Sequence, residues 1–406
     1  MKNKKITIIG LNFFPESTAI GLYSTQLAQY LETQGAYIEV ITAFPYYPQW
    51  EIAENYKRKP TFLKEKLGSI NIYRYKQYTP ANPTFLKRII HIIDFTFGSF
   101  INLWKIKECD IVISIVPFTS SGFLGYIQKK RFKAKSWIHI QDFEFDAAFQ
   151  SGLAKSNHKK PSLIYRLLMA VERSVYNKAD KVSTISHLML QKLNSKTKTT
   201  TYFLPNWIDE KQIDPSISKQ HPYLKTSKFK ILYSGNIGDK QDWKFFMEFL
   251  NEIDPNRFEV VLVGDGSMRK QLEKDIAPFK NVSLYPPVPY EELSDLLCSA
   301  DVHFLFQKEE VLDTVMPSKI LGMMASAKPS IITGHPNSEV KKVIEESNGG
   351  FYISGSNLQE VLKSLETICL QKEKALQIGI KAREYVVNNF AKDKILSRFI
   401  NELEQL

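Results

Sequence analysis

The sequence has few cysteines: Cys109, Cys298 and Cys369 are the three among 406 residues. They lie far apart and are odd in number, which argues against a disulfide framework and against the paired spacing of a zinc site. No stretch reaches the ~20 consecutive apolar residues of a membrane-spanning helix. The first apolar run is also too short for a secretory signal peptide. We therefore expect a protein of a reducing compartment, the cytoplasm.

Two common nucleotide-binding signatures are missing as well. Neither the G-x-G-x-x-G dinucleotide fingerprint nor the G-x-x-x-x-G-K-[ST] P-loop occurs in the sequence. Their absence argues against an ordinary NAD enzyme and against a P-loop nucleotidase. There is no nucleic-acid recognition motif, and most aromatic residues lie in apolar runs instead of on basic surfaces. We expect no nucleic-acid partner, although a binder that uses the basic half of the chain stays an alternative.

Charge is present, but it is unevenly distributed. The net charge is +11, and residues 1–205 carry 29 Lys+Arg against 14 Asp+Glu while the rest carries 25 against 29. A basic half favours a polyanionic partner such as an anionic membrane, unless the lysines only confer solubility. The apolar, aromatic segment 89–104 has basic residues at both ends. It fits a helix lying in a membrane interface or a core helix of an α/β domain.

Short apolar runs alternate with helical patterns along the whole chain, which is typical of parallel sheets covered on both faces. The predicted strands of the first half are Ile6–Gly10, Ile38–Thr42, Ile70–Tyr75, Ile111–Ile115, Ser136–Ile140, Lys181–Ile185 and Tyr202–Leu204. Those of the second half are Ile231–Gly235, Val260–Gly264, Val282–Tyr285, Val302–Phe306, Ser330–Thr333 and Gly350–Ile353. A polar stretch with two prolines, 209–230, separates the two sets.

This pattern predicts an α/β protein with two facing Rossmann-like domains and a cleft between them. The predicted N-terminal domain is 1–208, the C-terminal domain is 209–385, and a last helical segment, 386–406, returns to the first domain. Parallel sheets bind ligands beyond the carboxyl ends of their strands. The loops that follow the strands are therefore where functional residues are expected.

The second half has three such loops with phosphate-binding character. Gly235 and Asn236 follow one strand, with Lys240 and Gln241 shortly after, and Gly264 and Gly266 follow the next strand. The third segment, Pro317-Ser318-Lys319, begins a helix, where free backbone N–H groups attract phosphate. Together the three loops predict a site for a nucleotide diphosphate.

In the first half, polar residues follow the strand 136–140. His139, Asp142, Glu144 and Asp146 lie within eight residues of one another. We expect Asp142 to act on a hydroxyl, and His139 to be either catalytic or a structural hydrogen-bonding group. No second cluster of His or Cys accompanies them, so their spacing matches no zinc signature. Gly21, after the first strand, could bring backbone N–H groups close to a ligand.

At these residues the chain resembles the retaining, GT-B-fold glycosyltransferases of family 4, and within them the bacterial exopolysaccharide enzymes of the colanic-acid fucosyltransferase type. The resemblance covers the whole chain. It is most specific in Thr42–Trp50 and Tyr233–Gln241. Further shared segments are 14–23, 139–142, 205–209, 264–266 and 317–319.

The resemblance implies a retaining transferase that takes a sugar from a nucleotide diphosphate sugar, such as GDP-fucose or another GDP- or UDP-sugar. Lys240 and Lys319 would hold the pyrophosphate in place of a metal, Glu16 and Gly21 would lie on the acceptor side, and His139 or Asp142 at the reacting sugar. The implied acceptor is a saccharide on a polyprenyl diphosphate carrier, met at the inner face of the plasma membrane. It implies no cofactor.

One departure from the family pattern concerns two glutamates separated by seven residues. Counted back from Pro329, their places are taken by Thr314 and Gly322, and Glu309, Glu310 or Asp313 could replace the first. This departure keeps open a relative that binds nucleotide sugars without catalysis. An epimerase of nucleotide sugars with a similar two-domain shape is a further alternative.

Overall fold

The computed structural model describes residues 1–17, 19–81, 84–143, 145–146, 163–311 and 318–406. The chain divides into two compact units: residues 1–205 together with 396–406, and residues 206–395. Of the predicted return segment 386–406, the last eleven residues, 396–406, belong to the first unit. Within the described residues, no helix has both the length and the apolar character needed to cross a bilayer.

The first unit contains an eight-stranded sheet in the order β3-β4-β2-β1-β5-β6-β7-β8. All neighbouring strands are parallel except β3, which runs antiparallel to β4. The strands are β1 (Lys5–Ile9), β2 (Tyr37–Ala43), β3 (Phe62–Leu67), β4 (Ile70–Tyr75), β5 (Ile111–Val116), β6 (Lys135–Ile140), β7 (Lys181–Thr184) and β8 (Thr201–Phe203). The seven strands predicted for this half are confirmed.

Strand β3 was missed by the sequence analysis because it lies at the sheet edge and alternates exposed charged with half-buried apolar residues. By contrast, every residue of the central strand β5 is buried, and its sequence IVISIV is almost continuously apolar. Such runs are expected where helices cover both faces of a parallel sheet. The helices of this unit are α1 (Ala19–Thr33), α2 (Glu54–Lys57), α3 (Phe85–Leu103), α4 (Thr119–Phe132), α5 (Leu163–Tyr176) and α6 (His187–Lys196).

The second unit contains a six-stranded, fully parallel sheet in the order β11-β10-β9-β12-β13-β14. The six strands predicted for this half are confirmed. They are β9 (Phe229–Ser234), β10 (Phe258–Val263), β11 (Val282–Tyr285), β12 (Val302–Phe306), β13 (Ser330–Gly334) and β14 (Gly350–Ser354). With the first sheet, they confirm the predicted class, two Rossmann-like α/β domains.

Helices connect the strands of the second sheet, and several begin at a polar residue whose side chain caps the first turn, as at Asp242, Ser338 and Asn357. They are α7 (Trp243–Glu252), α8 (Arg269–Ile276), α9 (Leu293–Cys298), α10 (Ser318–Ala325), α11 (Glu339–Ser347), α12 (Leu358–Leu370) and α13 (Lys372–Phe390). The last helix, α14 (Lys392–Glu404), follows a break at Ala391.

Candidate donor site of the second unit and polar loops of the first

Two glycine loops lie side by side at the carboxyl ends of β9 and β10. Gly235 N donates to Val263 O at 2.9 Å, and Ile237 N donates to Asp265 O at 2.8 Å. A Cβ atom on Gly264 would lie 1.9 Å from the carbonyl oxygen of Gly235, so only glycine permits this approach. The sequence places glycines here because two backbone segments contact each other directly.

Lys319, in the first turn of α10, extends over the first of these loops. Its Nζ lies 3.4 Å from the hydroxyl of Tyr233 and 5.0 Å from the centre of the Tyr233 ring. A Cβ atom on Gly235 would be 3.3 Å from the same Nζ. The structure thus brings together a lysine and a glycine turn that are 84 residues apart in the sequence, as a site for a diphosphate requires.

Tyr233, a residue without a predicted role, contacts Lys319 and supports this arrangement. The residue is 1% exposed, and its hydroxyl donates to the carbonyl oxygen of Asn236 at 2.5 Å. Burial raises the pKa of the phenol far above its ordinary value, so the hydroxyl stays protonated and can donate. Its place near the end of β9, two residues before Gly235, was the available sequence signal.

Lys240 and Gln241 lie just after the first glycine loop. The Lys240 side chain is exposed, and its backbone carbonyl accepts from Lys308 N at 3.1 Å. Gln241 is buried, and its Oε1 accepts from the backbone N–H of Gly238 at 3.1 Å. The described contact of Gln241 therefore fixes the loop, while Lys240 keeps its ammonium group at the surface.

Arg269 holds the second glycine loop, and it too was missed. Its guanidinium Nη1 donates to the carbonyl oxygen of Gly264 and, at 3.0 Å, to that of Tyr285. Arg269 thereby links the ends of β10 and β11. Gly266, in the same loop, has a φ of +154°, which lies in the region that favours glycine. Arg269 follows Gly266 by three residues, a spacing that could have drawn attention to it.

Some predicted donor-side positions lie outside the described residues: Pro317, Thr314 and Asp313. Ser318 begins α10, and nothing is described of its side chain. Gly322 is described, and a Cβ atom there would lie 3.2 Å from Leu297 Cδ1 and 3.6 Å from Ile213 Cδ1. Because both are core residues, a carboxylate at position 322 would be placed against apolar side chains. Glu309 and Glu310 are exposed just after β12.

In the first unit, His139 lies inside the sheet at the end of β6. It is 3% exposed; its Nδ1 is 2.9 Å from Ser183 Oγ, and its Nε2 is 2.9 Å from Gln141 Nε2. Burial lowers the pKa of His139 to about 3, so the ring is neutral at physiological pH. The described contacts give His139 a hydrogen-bonding part in the core, whereas Asp142, three residues on, is exposed.

A buried charge cluster, formed by Lys196, Asp146 and Glu172, lies near these residues and was not predicted. Lys196 of α6 pairs with Asp146 at 2.5 Å and with Glu172 of α5. Burial tends to raise the pKa of Asp146, but Lys196 and Lys192 outweigh it and hold that pKa below its ordinary value. The cluster anchors the chain just after Asp142, beside the ring of Phe143.

Glu16 and Gly21 contact each other after β1. The Glu16 carboxylate is 7% exposed and accepts from the backbone N–H groups of Tyr46 and Tyr47, both at 2.9 Å, and from Asn12 Nδ2 at 2.8 Å. A Cβ atom on Gly21 would lie 2.7 Å from Glu16 Cβ. Glu16 thus holds the segment 42–50, the end of β2 and the loop after it, which gave the family resemblance much of its specificity.

No group of three or more His, Cys, Asp or Glu side chains that could hold a metal occurs in the part of the chain that the structure describes.

Comparisons with known proteins agree with this fold. The family model "Glycosyl transferases group 1" matches residues 228–370, which include Gly235, Lys240, Gly264 and Lys319. The Escherichia coli (strain K12) protein named as the colanic acid biosynthesis glycosyl transferase WcaI is 31% identical over 415 residues, covering 98% of this chain and 99% of its own length. The chain is a group 1 glycosyltransferase.

Solved structures show the same fold at low sequence identity. Sucrose-phosphate synthase from Thermosynechococcus elongatus matches with a TM-score of 0.75 and 14% identity, covering 99% of each chain. Anabaena HepE, crystallised in complex with UDP-glucose, matches with a TM-score of 0.70 and 13% identity, covering 99% of this chain and 100% of its own. The glycosyltransferase described here therefore has the GT-B fold expected from its sequence.

Proposed function

We propose that this enzyme is a retaining, metal-independent transferase of family 4 that moves a sugar from a GDP- or UDP-sugar to a lipid-linked saccharide in bacterial surface polysaccharide synthesis. The observation that carries the proposal is the position of Lys319 over the Gly235 turn. The name of the E. coli relative supports a role in exopolysaccharide synthesis, and the HepE complex supports a nucleotide-sugar donor.

In this proposal the second unit binds the donor. Negative charge builds on the departing diphosphate as the sugar–phosphate bond breaks, and fixed cationic and N–H donors stabilise it. Lys319 and Lys240 supply the cations, and the start of α10 supplies N–H groups. These groups take over the charge neutralisation that a metal ion would otherwise provide.

The first unit, in this proposal, holds the acceptor. Asp142, exposed just after β6, is the carboxylate that contacts the reacting sugar. His139 is too deeply buried to exchange a proton at neutral pH, so we assign it the positioning of Gln141 and the segment leading to Asp142. Glu16 fixes the segment 42–50 on the acceptor side. Gly21, which has no side chain, leaves room for Glu16 to pack against α1. The enzyme would work at the inner face of the plasma membrane.

A ligand screen followed by a transfer assay tests the proposal. GDP-, UDP- and dTDP-sugars are compared for the rise in melting temperature that each produces, because a ligand that binds the native state stabilises it. The matched variants are Lys319→Ala and Lys342→Ala, the latter an exposed lysine on α11 that pairs only with Glu346 among the described contacts. Lys319→Ala should remove most of the shift, whereas Lys342→Ala should keep it.

The active sugar is then offered with undecaprenyl-diphosphate-linked saccharides, with and without EDTA, and the product is examined by NMR. Retention at the anomeric carbon and EDTA-resistant transfer are expected, with turnover of Lys319→Ala reduced roughly 10²–10³-fold. Conversion of free UDP-sugar without an acceptor would instead identify an epimerase. Binding without any transfer would identify a non-catalytic relative.

A further inference from the structure

The helix α3 has one side packed against the domain and an opposite, apolar side that the domain leaves exposed. Its inner side packs on the sheet and on α4, and it buries polar as well as apolar residues: His91, Phe95, Ser99 and Asn102. Six large apolar residues on the other side are 38–66% exposed. This outer stripe consists of Leu86, Ile90, Ile93, Phe97, Phe100 and Trp104.

The spacing of the outer stripe is four, three, four, three and four residues, which places all six side chains on one face of a helix. At 1.5 Å per residue the stripe is about 27 Å long. An apolar helix face of this length is normally covered by other apolar groups. Since the domain covers only the inner side, the outer stripe calls for a second apolar environment.

The charged residues around α3 favour an anionic environment. Lys87 and Arg88 lie at its start, and Lys105 and Lys107 directly follow its end; all four are exposed. At the end of the stripe, the Arg131 guanidinium lies 4.7 Å from the Trp104 ring centre. An indole with a cation beside it is a common arrangement at the boundary between lipid and water.

Three acidic residues lie in α3 or just after it. Asp94, the single acidic residue in the sequence of α3, accepts from the Tyr75 hydroxyl at 2.9 Å and from Tyr78 N at 2.6 Å. Beyond the helix end, Glu108 and Asp110 both contact Lys5 of β1. These three negative charges thus have partners within the domain itself.

A second row with the same character lies in the same helix layer. The helix α4 packs against both α3 and α5. On α5, Leu167 and Val171 are 65% and 47% exposed, Arg166 and Arg173 are exposed beside them, and Glu172 is buried. The exposed side of this layer therefore combines apolar and basic side chains over more than one helix.

We propose that the outer stripe of α3, with its basic ends, docks the enzyme onto an anionic lipid bilayer, with the helix lying in the interface. An interfacial helix needs an apolar face and cationic flanks that meet acidic headgroups, and α3 provides both. A second copy of the chain is a poorer occupant. In an antiparallel two-fold contact, Lys87 and Arg88 of one copy would meet Lys105 and Lys107 of the other, and like charges would repel.

This docking would bring the ligand edge of the first sheet to the lipid. The helix α3 follows β4, and its Asp94 contacts Tyr75 at the carboxyl end of that strand. The segments after β1 and β6, which carry Glu16 and Asp142, belong to the same edge of the parallel sheet. An acceptor whose lipid tail stays in the bilayer could thus reach that edge. This last step rests on the proposed function.

Vesicle flotation of the full-length protein tests the docking surface. The vesicles are phosphatidylcholine with or without phosphatidylglycerol, at low and high salt. The test variant is Ile93→Glu, and the matched control is Ile217→Glu, which places the same charge on an isoleucine of the second unit that is 72% exposed. Both positions are exposed, so neither substitution should prevent folding.

We expect the wild-type protein and Ile217→Glu to float with anionic vesicles at low salt and less at high salt. Ile93→Glu should reduce the partition coefficient at least about tenfold, because a charge replaces an inserted side chain. No flotation of the wild type, or equal flotation of Ile93→Glu, would overturn the proposal. So would equal binding to vesicles without phosphatidylglycerol.

Two measurements without lipid separate bilayer docking from a contact between two copies of the chain and from the proposed donor function. In sedimentation velocity, a wild-type dimer that Ile93→Glu dissociates would assign the stripe to a second copy and overturn the bilayer. The melting-temperature shift with nucleotide sugars should be the same for the wild type and Ile93→Glu. If the wild type floats but shows no such shift with any donor, the donor proposal fails while the docking surface stands.

Discussion

The ammonium nitrogen of Lys319 lies beside the backbone of Gly235, 3.3 Å from the place that a Cβ atom would occupy there. Gly235 has a φ of +149°, a backbone conformation that side chains rarely permit. One residue thus provides both the shape of the turn and the space for the lysine. This relationship makes the two residues a single functional unit in the proposed donor site.

Replacing Gly235 by alanine should therefore weaken donor binding. The loss of affinity should be larger than the loss of folding stability alone would produce. The added methyl strains the turn by about 1–3 kcal/mol and displaces Lys319. We expect the affinity for the nucleotide sugar to fall about tenfold or more, since a charged contact is worth about 1.5–3 kcal/mol. Titration calorimetry measures the affinity, and thermal unfolding measures the stability.

The control for this change is Gly68→Ala in the turn between β3 and β4. Gly68 also has a positive φ, +60°, but it belongs to the first unit. It should lower stability to a similar degree and leave donor affinity unchanged. If Gly235→Ala bound the donor as tightly as the wild type, Lys319 would not depend on this turn.

Tyr233→Phe tests the support beneath Lys319. The change removes a hydroxyl that donates to Asn236 O and lies 3.4 Å from Lys319 Nζ, while the buried ring stays. We expect a loss of about 1 kcal/mol in the free energy of unfolding and a several-fold rise in KM for the donor. Tyr223→Phe, which keeps its stack on Tyr285, is the control and should change neither quantity. An unchanged KM in Tyr233→Phe would show that the hydroxyl does not help to position Lys319.

Much of the fold could be predicted because buried parallel strands read as apolar runs. All six residues of β5 are buried, and the sequence displays this directly. The edge strand β3 could not be read in the same way, because Lys64 and Lys66 interrupt its pattern on an open side of the sheet. Pairing with β4, a tertiary interaction, decides its conformation.

The candidate site was predictable in its residue types and less so in its geometry. Glycine and lysine after strands indicate a phosphate site, and the structure brings Gly235 and Lys319 together. The burial of His139 and Glu16 could not be read from the sequence, because polar residues after a strand can turn either into the domain or out of it. The buried pair of Lys196 and Glu172 depends on the packing of α5 and α6, for which the sequence has no local signal.

The buried state of His139 predicts a particular pH dependence of stability. Burial lowers its pKa from an ordinary 6.5 to about 3. Between these values the unfolded chain binds a proton that native His139 does not, so stability should rise with pH from about 3 to 6.5 and then level off. The slope from this residue is at most about 1.4 kcal/mol per pH unit.

Chemical denaturation at several pH values measures this slope, and His139→Gln should remove the contribution. His303 is the comparison, because it is buried in the second unit and burial lowers its pKa to about 3 as well. His303→Gln should change the pH dependence of the unfolding free energy of the second unit only. An NMR titration in which the His139 ring ionises near pH 6.5 would contradict the prediction. So would a pH–rate profile that loses an ionisation near 6.5 in His139→Gln.

The charge cluster after β6 predicts an unequal effect of two neighbouring lysines. Lys196, with a side chain that is 4% exposed, pairs with Asp146 and with fully buried Glu172, while Lys192, 30% exposed, contacts Asp146 at 3.0 Å. Lys196→Met should leave the Glu172 carboxylate without its cation and cost about 3–5 kcal/mol of unfolding free energy. Lys192→Met should cost less than about 1 kcal/mol, because its ion pair is partly exposed to water.

The double variant Lys196→Met with Glu172→Gln decides whether charge or packing is responsible. Removing the stranded carboxylate should restore more than half of the loss, because burial raises the pKa of Glu172 and its ionised form is costly without Lys196. Urea unfolding of the four proteins gives the coupling between the two positions. Additive losses in the double variant would show that Lys196 acts through its packing against Phe143, and then the cluster would not be the electrostatic anchor of the segment that follows Asp142.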